Sequence, residues 1–151
     1  MTNSSDRIRH LKNGVFNGNS VLYWMVRDKR VSDNWALLEA QKIALNNNVP
    51  LIVCFNYYNK YSQANNRHYQ FLFDGLKEVH SSLSKLNIQF YLLQGKTDQV
   101  ISKFIDKYKV GHLVVDFSPL KVYKNRLNKV IQKTSIPVSQ VDAHNIVPVW
   151  Q

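Results

Sequence analysis

Six side chains stand where apolar runs of this 151-residue sequence give way to polar sequence, and their types suit binding chemistry. Arg27 and Asp28 follow VLYWMV at 21 to 26, Asn56 follows LIVCF at 51 to 55, and Asp116, Phe117 and Ser118 follow HLVV at 112 to 115. A guanidinium at 27 can neutralise an anion, and a phenyl ring at 117 can cover a flat heterocycle. Ser118 and Pro119 read as the cap and first turn of a helix, whose free N–H groups favour an acidic group. The same residues also have a structural use, in which Arg27 and Asp28 pair with neighbours and pin their loop. Both uses stay open at this level.

Most familiar chemical signatures are missing. The five glycines, at 14, 18, 75, 95 and 111, build neither a dinucleotide fingerprint nor a P-loop. The histidines at 10, 68, 80, 112 and 144 lack metal-ligand spacing, and the lone Cys54 sits inside an apolar run, as a small core residue would. No catalytic or metal-ligating set follows from spacing.

What positions the six residues is an alternation of periods. Strands are expected at 21–26, 51–55, 89–93, 112–115 and 138–141, separated by helices. The first helix should run over 33–47 with Ser32 or Asp33 as its cap. Leu72, Leu76, Val79, Leu83 and Leu86 give the second one apolar stripe, and an asparagine-rich loop to about Asn65 precedes it. Val100, Ile101, Phe104, Ile105 and Tyr108 mark the third, and Ser118-Pro119 opens the fourth. Five strands alternating with four helices argue for an α/β fold: a doubly wound, five-stranded parallel sheet, Rossmann-like, in order 3-2-1-4-5, with helices on both faces. In such sheets ligands sit beyond the carboxyl ends of the strands at the switch point, here between the first and fourth. The six residues lie at those ends.

Composition bounds the rest. The chain is 44% apolar and 20% charged, as expected of one soluble domain, and a single cysteine suits a reducing compartment. The polar start MTNSSDRIRHLKNG predicts no signal peptide, no apolar run reaches the ~18 residues of a membrane span, and a cytoplasmic location follows as an expectation. The net charge is +10, with fourteen Lys and six Arg, and the basic residues read as spread along the chain. Sixteen Asn accompany them, so a coding bias towards Lys and Asn explains the excess as readily as a nucleic-acid partner.

The sequence resembles the amino-terminal domain of class II cyclobutane pyrimidine dimer (CPD) DNA photolyases. The blocks carrying the likeness are YWMVRDKRVSDNWALLEAQ at 23–41, RHYQFLFDGLKEVHSSLSKLNIQFYLLQG at 67–95, LVVDFSPL at 113–120 and VDAHNIVPVW at 141–150. The resemblance implies an α/β antenna domain over 21–142, a polar extension over 1–20, and at 143–151 the start of a linker to a FAD-binding helical domain absent from this sequence. It implies that the domain can hold a light-harvesting chromophore, 8-hydroxy-5-deazaflavin or methenyltetrahydrofolate, and the strand-end residues Arg27, Asp28, Asn56, Asp116, Phe117 and Ser118 are where that chromophore is expected. Flavin chemistry on UV-damaged DNA would belong to the other domain, so this piece alone should be inactive. Two other readings accompany it: a free-standing nucleotide- or flavin-binding domain of stress-protein or electron-transfer-flavoprotein type, and a basic nucleic-acid interaction module. Oligomeric state is left open.

Overall fold

The computed structural model describes residues 4–58 and 66–150; part of the asparagine-rich loop expected before the second helix lies outside them. A short 3-10 turn, Ser4–Arg7, leads into strand β1 (Ile8–Lys12). Then follow β2 (Ser20–Met25), α1 (Trp35–Asn46), β3 (Leu51–Tyr57), α2 (Asn66–Lys85), β4 (Gln89–Gln94), α3 (Thr97–Lys107), β5 (Val110–Asp116), α4 (Lys121–Lys133) and β6 (Val138–Val141). The sheet has six strands in the order β1-β6-β5-β2-β3-β4. The five expected strands keep the expected order, since 3-2-1-4-5 corresponds to β4-β3-β2-β5-β6.

The expected count of five is corrected to six. Ile8–Lys12 pairs antiparallel with β6, Ile8 opposite Val141 and His10 opposite Ser139. IRHLK is too polar to announce a strand, but an edge strand with one solvated face does not need to be apolar. All other pairings are parallel. At the centre, every residue of β2 is buried, which explains its unbroken apolar run.

Alternate residues of the strands feed two cores. Val21, Tyr23, Met25, Val53 and Val114 face α1 and α2, where Ala36, Ala40 and Ala44 let the first helix approach closely. Leu22, Trp24, Cys54, Leu113, Val115 and Val138 face α3 and α4, which contribute Ile101, Phe104, Leu127 and Val130. Cys54 is buried, as its sequence context suggested. On the stripe of α2, Leu76, Val79 and Leu83 are buried but Leu86 is exposed beyond the helix end.

Two helix starts differ from expectation. The cap of α1 is Asn34, whose side chain accepts from the Leu37 N–H at 3.0 Å, whereas Asp33 takes a left-handed conformation with φ 52°. The helix after β5 begins at Lys121 with Leu120 at the cap position and no side-chain cap, so Ser118-Pro119 belongs to the approach and not to the first turn. At the opposite end of the sheet Gly18 and Gly111 pass back to back: a Cβ on Gly18 would lie 2.4 Å from the Gly111 nitrogen and from the Lys109 carbonyl oxygen.

Candidate functional site

The carboxyl ends of β2 and β5 lie side by side, and the loops that follow them meet over one residue. Asp116, the last residue of β5, is buried and accepts three backbone N–H groups from the chain leaving β2: Val26 at 2.7 Å, Arg27 at 2.5 Å and Asp28 at 2.8 Å. The Tyr23 hydroxyl donates to the same carboxylate at 3.4 Å. Both oxygens are thereby engaged. Burial pushes the Asp116 carboxyl above its usual range, the three N–H donors pull it down, and burial prevails.

Behind Asp116 stands a residue that the strand-end pattern does not single out. Asn34 Nδ2 donates to the Tyr23 hydroxyl at 3.0 Å, to the Asp28 carbonyl at 3.2 Å and to the Arg30 carbonyl at 3.0 Å, while its Oδ1 caps α1. One amide therefore fixes loop 27–33, the start of α1 and the Tyr23–Asp116 pair. Tyr23 is fully enclosed, and burial next to the Asp116 carboxylate holds its phenol well above the ordinary value. The sequence signal available for Asn34 was its place directly before the periodic helix, one residue beyond the caps expected.

The six candidate residues divide by what they touch. Asn56 lies inside β3 rather than beyond it; its Nδ2 donates to the Leu93 and Gly95 carbonyls and its Oδ1 accepts from the Thr97 hydroxyl at 2.6 Å. Phe117 is buried, edge-on to Trp150 with ring centres 5.6 Å apart. Ser118 is buried and, with Trp24, Val26, Asp116 and Tyr123, lines a cavity of about 10 Å³ between the strand ends and α4. That space is of the order of one water molecule. Arg27 is partly exposed, and its guanidinium has no ion pair or hydrogen bond among the described residues. Asp28 is buried: its Oδ1 meets His144 Nδ1 at 3.3 Å and Arg30 at 4.0 Å, while its Oδ2 has no partner among the described residues. A groove of about 340 Å³ opens immediately after Asp28, between residues 29–33 and the α2 residues Gly75, Glu78, Val79 and Ser82.

A third segment closes over this end of the sheet. The Asp142 carboxylate gathers the backbone N–H groups of His144, Asn145 and Val149 and the Asn145 side chain into a tight turn. Burial alone would raise its carboxyl, but these donors together hold it below the usual range. From β1's approach, the buried Arg7 guanidinium donates to the carbonyls of Asp142, Asn145 and Ile146 at 3.2, 2.6 and 2.8 Å and lies over the Trp35 ring. Trp150 Nε1 donates to the Asp6 carbonyl at 3.0 Å. Residues 142–150 are thus clamped to the N-terminal segment and, through His144, to the Asp28 loop. The described residues hold no cluster of three metal-ligating side chains, and no helix is long and apolar enough to cross a membrane.

Against this geometry, a family model described as DNA photolyase matches residues 21–151. A deoxyribodipyrimidine photo-lyase of Arabidopsis thaliana is 39% identical over 151 residues, an alignment covering 95% of this chain and 30% of the relative. That of Potorous tridactylus is 45% identical over 132 residues, covering 85% and 25%. The chain thus spans about a quarter to a third of these relatives' length. In fold it is similar to a cryptochrome of Synechocystis sp. PCC6803, with a TM-score of 0.65 at 16% identity over 76% of this chain and 24% of that one.

Proposed function

Since this chain belongs to the DNA photolyase family, we propose that it is the amino-terminal antenna module of a class II cyclobutane pyrimidine dimer photolyase. Domain bounds of 21–142 for the module, 1–20 for a polar extension and 143–151 for the start of a linker are part of this reading. So is a cytoplasmic setting. Light-driven electron transfer to the dimer is chemistry that reduced FAD supplies when bound, and we assign FAD, UV-damaged DNA and the splitting step to a helical domain joined to this one.

The observation that carries the antenna assignment is the pair Arg27 and Asp28. A buried carboxylate oxygen without a donor is costly, and Asp28 Oδ2 is such an atom among the described residues. Arg27, which precedes it in the chain, has a guanidinium without a partner among those residues, and residues 29–33, which follow it, line a groove large enough for a small ligand. The pyrimidine-type ring of a deazaflavin or a folate carries an N–H donor for Asp28, and the 8-oxy group of the first or the glutamate of the second supplies an anion for Arg27. In this reading Asp28 accepts from the ring and Arg27 faces that anion. Asp116 keeps the loop in place through its three backbone N–H bonds, while Asn56, Phe117 and Ser118 brace the neighbouring strand ends. The cavity under Ser118 is too small to take the ring, so the chromophore belongs on the groove side.

Fluorescence titration of 8-hydroxy-5-deazaflavin and methenyltetrahydrofolate tests this. Wild type should bind one of them, and Arg27→Ala, folded by circular dichroism, should bind it at least tenfold more weakly. Equal binding by the variant makes Arg27 a loop brace. Illuminating the purified chain with thymine-dimer DNA should leave the dimers intact; repair by these 151 residues contradicts the assignment of the chemistry to another domain.

A further inference from the structure

The excess positive charge is not spread evenly over the molecule. The helices on one face of the sheet, α1 and α2, carry four basic and three acidic side chains; α3 and α4, on the other, carry seven and two. Helix α4 alone has Lys121, Lys124, Arg126, Lys129 and Lys133 and no acid. The charge is spread along the sequence, yet the fold gathers more of it on one layer than on the other. A coding bias towards Lys would load both layers alike, so it does not account for the asymmetry.

The pairing differs in the same sense. On the near-neutral layer, Lys77 pairs with Asp74 at 3.3 Å and Lys42 with Glu39 at 4.0 Å. On α4 one lysine is paired: Lys133 bonds the Asp98 carboxylate of α3 at 2.6 Å and locks the two helices together. Lys121, Lys124 and Lys129 have no ion pair among the described residues and are exposed. Lys121 and Lys124 also sit in the first turn of the helix, where its dipole opposes cations. Lys124 gains a contact with the Phe117 ring, 5.9 Å from its Nζ, but no carboxylate offsets the unfavourable dipole. Between the lysines the exposed positions are Val122 and the amides Asn125, Asn128 and Gln132, which donate to phosphate oxygens as readily as to water. Arg126 lies 5.6 Å from the rings of both Tyr58 and Tyr123, which hold it in an aromatic setting.

We propose that the exposed face of α4 is a docking surface for the phosphate backbone of duplex DNA, bringing the antenna module itself into contact with the nucleic acid. The proposal rests on the photolyase reading, in which DNA is the substrate, and adds a contact face on the α/β domain. Because α4 presents lysines and amides and no element entering a groove, it reads neither sequence nor damage. It contributes affinity and orientation through counterion release.

Fluorescence anisotropy of an undamaged 25-base-pair duplex with the purified chain, at salt concentrations between 50 and 200 mM, provides the test. Removing three phosphate contacts with Lys121→Gln/Lys124→Gln/Lys129→Gln should weaken binding at least tenfold and lower the slope of log K against log salt by about 2 to 3. The control Lys42→Gln/Lys77→Gln/Lys85→Gln removes the same charge from the other layer and should cost less than threefold. Equal losses in the two triples, or no binding by wild type at 50 mM salt, overturn the proposal. So does a defect of the α4 triple confined to phosphatidylserine vesicles. Chromophore titration of the unmutated chain reads the antenna assignment separately, so either can fail alone.

Discussion

Asp116→Ala should be among the most destabilising single changes in this domain. The carboxylate closes the gap between the ends of β2 and β5 by accepting from Val26, Arg27 and Asp28. Truncation leaves three N–H groups without their acceptor, at about 1–3 kcal/mol for each that stays unsatisfied. Two effects reduce the sum. Wild type already bears the cost of a buried charge, and the adjoining cavity of about 10 Å³ lets water reach part of the vacated space. A net loss of about 3 kcal/mol results, or roughly 6–12 °C in Tm for a chain of this size. Asp116→Asn keeps the volume and one good acceptor. Flipped to accept from Arg27 and Asp28, it loses the Val26 bond and the long one from the Tyr23 hydroxyl, and should cost about 1–2 kcal/mol.

Urea unfolding at pH 7 measures both, with unchanged m-values showing that the denatured state is not altered. The pH dependence supplies an independent check. Burial raises the Asp116 carboxyl in the fold above its unfolded value. Its contribution to stability is therefore complete below the unfolded value and is lost as pH rises through the folded one. Wild type should gain stability relative to Asp116→Asn as pH falls from 7 towards 4. A change of the opposite sign means that the three N–H donors outweigh burial. A cost below about 0.5 kcal/mol for the alanine variant would refute the bracing role altogether.

Other perturbations are as direct. His112, which bonds the Ser139 hydroxyl at 2.8 Å, is held down to about 4 by burial and by nearby His10; unfolding then takes up a proton below about 6.5, so His112→Gln should flatten the loss of stability between those values in acid titrations. Gly18→Ala places a methyl group 2.4 Å from the Lys109 carbonyl oxygen and the Gly111 nitrogen, both backbone, and should cost about 2 kcal/mol or more in urea unfolding. Arg7→Ala removes the donors to three carbonyls of residues 142–146 and should speed amide exchange of 143–150 at least tenfold while the exchange of β2 and β5 stays slow.

The parallel strands were legible because a strand covered on both faces must be apolar at nearly every position, as VLYWMV at 21–26 and LIVCF at 51–55 are. The strand order followed from right-handed crossovers, which leave few alternatives. What escaped notice rests on contacts that residue type does not mark. IRHLK is a strand because β6 offers it an edge, not because of its own pattern. By type, a carboxylate at a strand end suits a ligand site, and residue type does not mark that the Asp116 oxygens also accept from three backbone N–H groups and the Tyr23 hydroxyl. Asn34 was passed over for Ser32 and Asp33, equally good caps by type. Asn34 fits because an amide caps the helix with its oxygen and still has two N–H donors to share among Tyr23, Asp28 and Arg30, where a hydroxyl has one donor and a carboxylate none.

The N-terminal segment acquires a role from the same logic. Strand β1 buries little: its residues are partly or fully exposed, and as an edge strand it adds one ladder of hydrogen bonds to β6. Its pairing does, however, fix Arg7 at the point where β6 hands over to residues 142–150. Three carbonyls there would otherwise have to turn towards water. With Arg7 in place they point inward, Asp142 holds the turn, and Trp150 reaches back to Asp6. A polar, poorly buried strand is a small cost for a rigid departure of the chain from the sheet. The clamp of Arg7, Asp142 and Trp150 supplies that rigidity from side chains on opposite ends of the described chain.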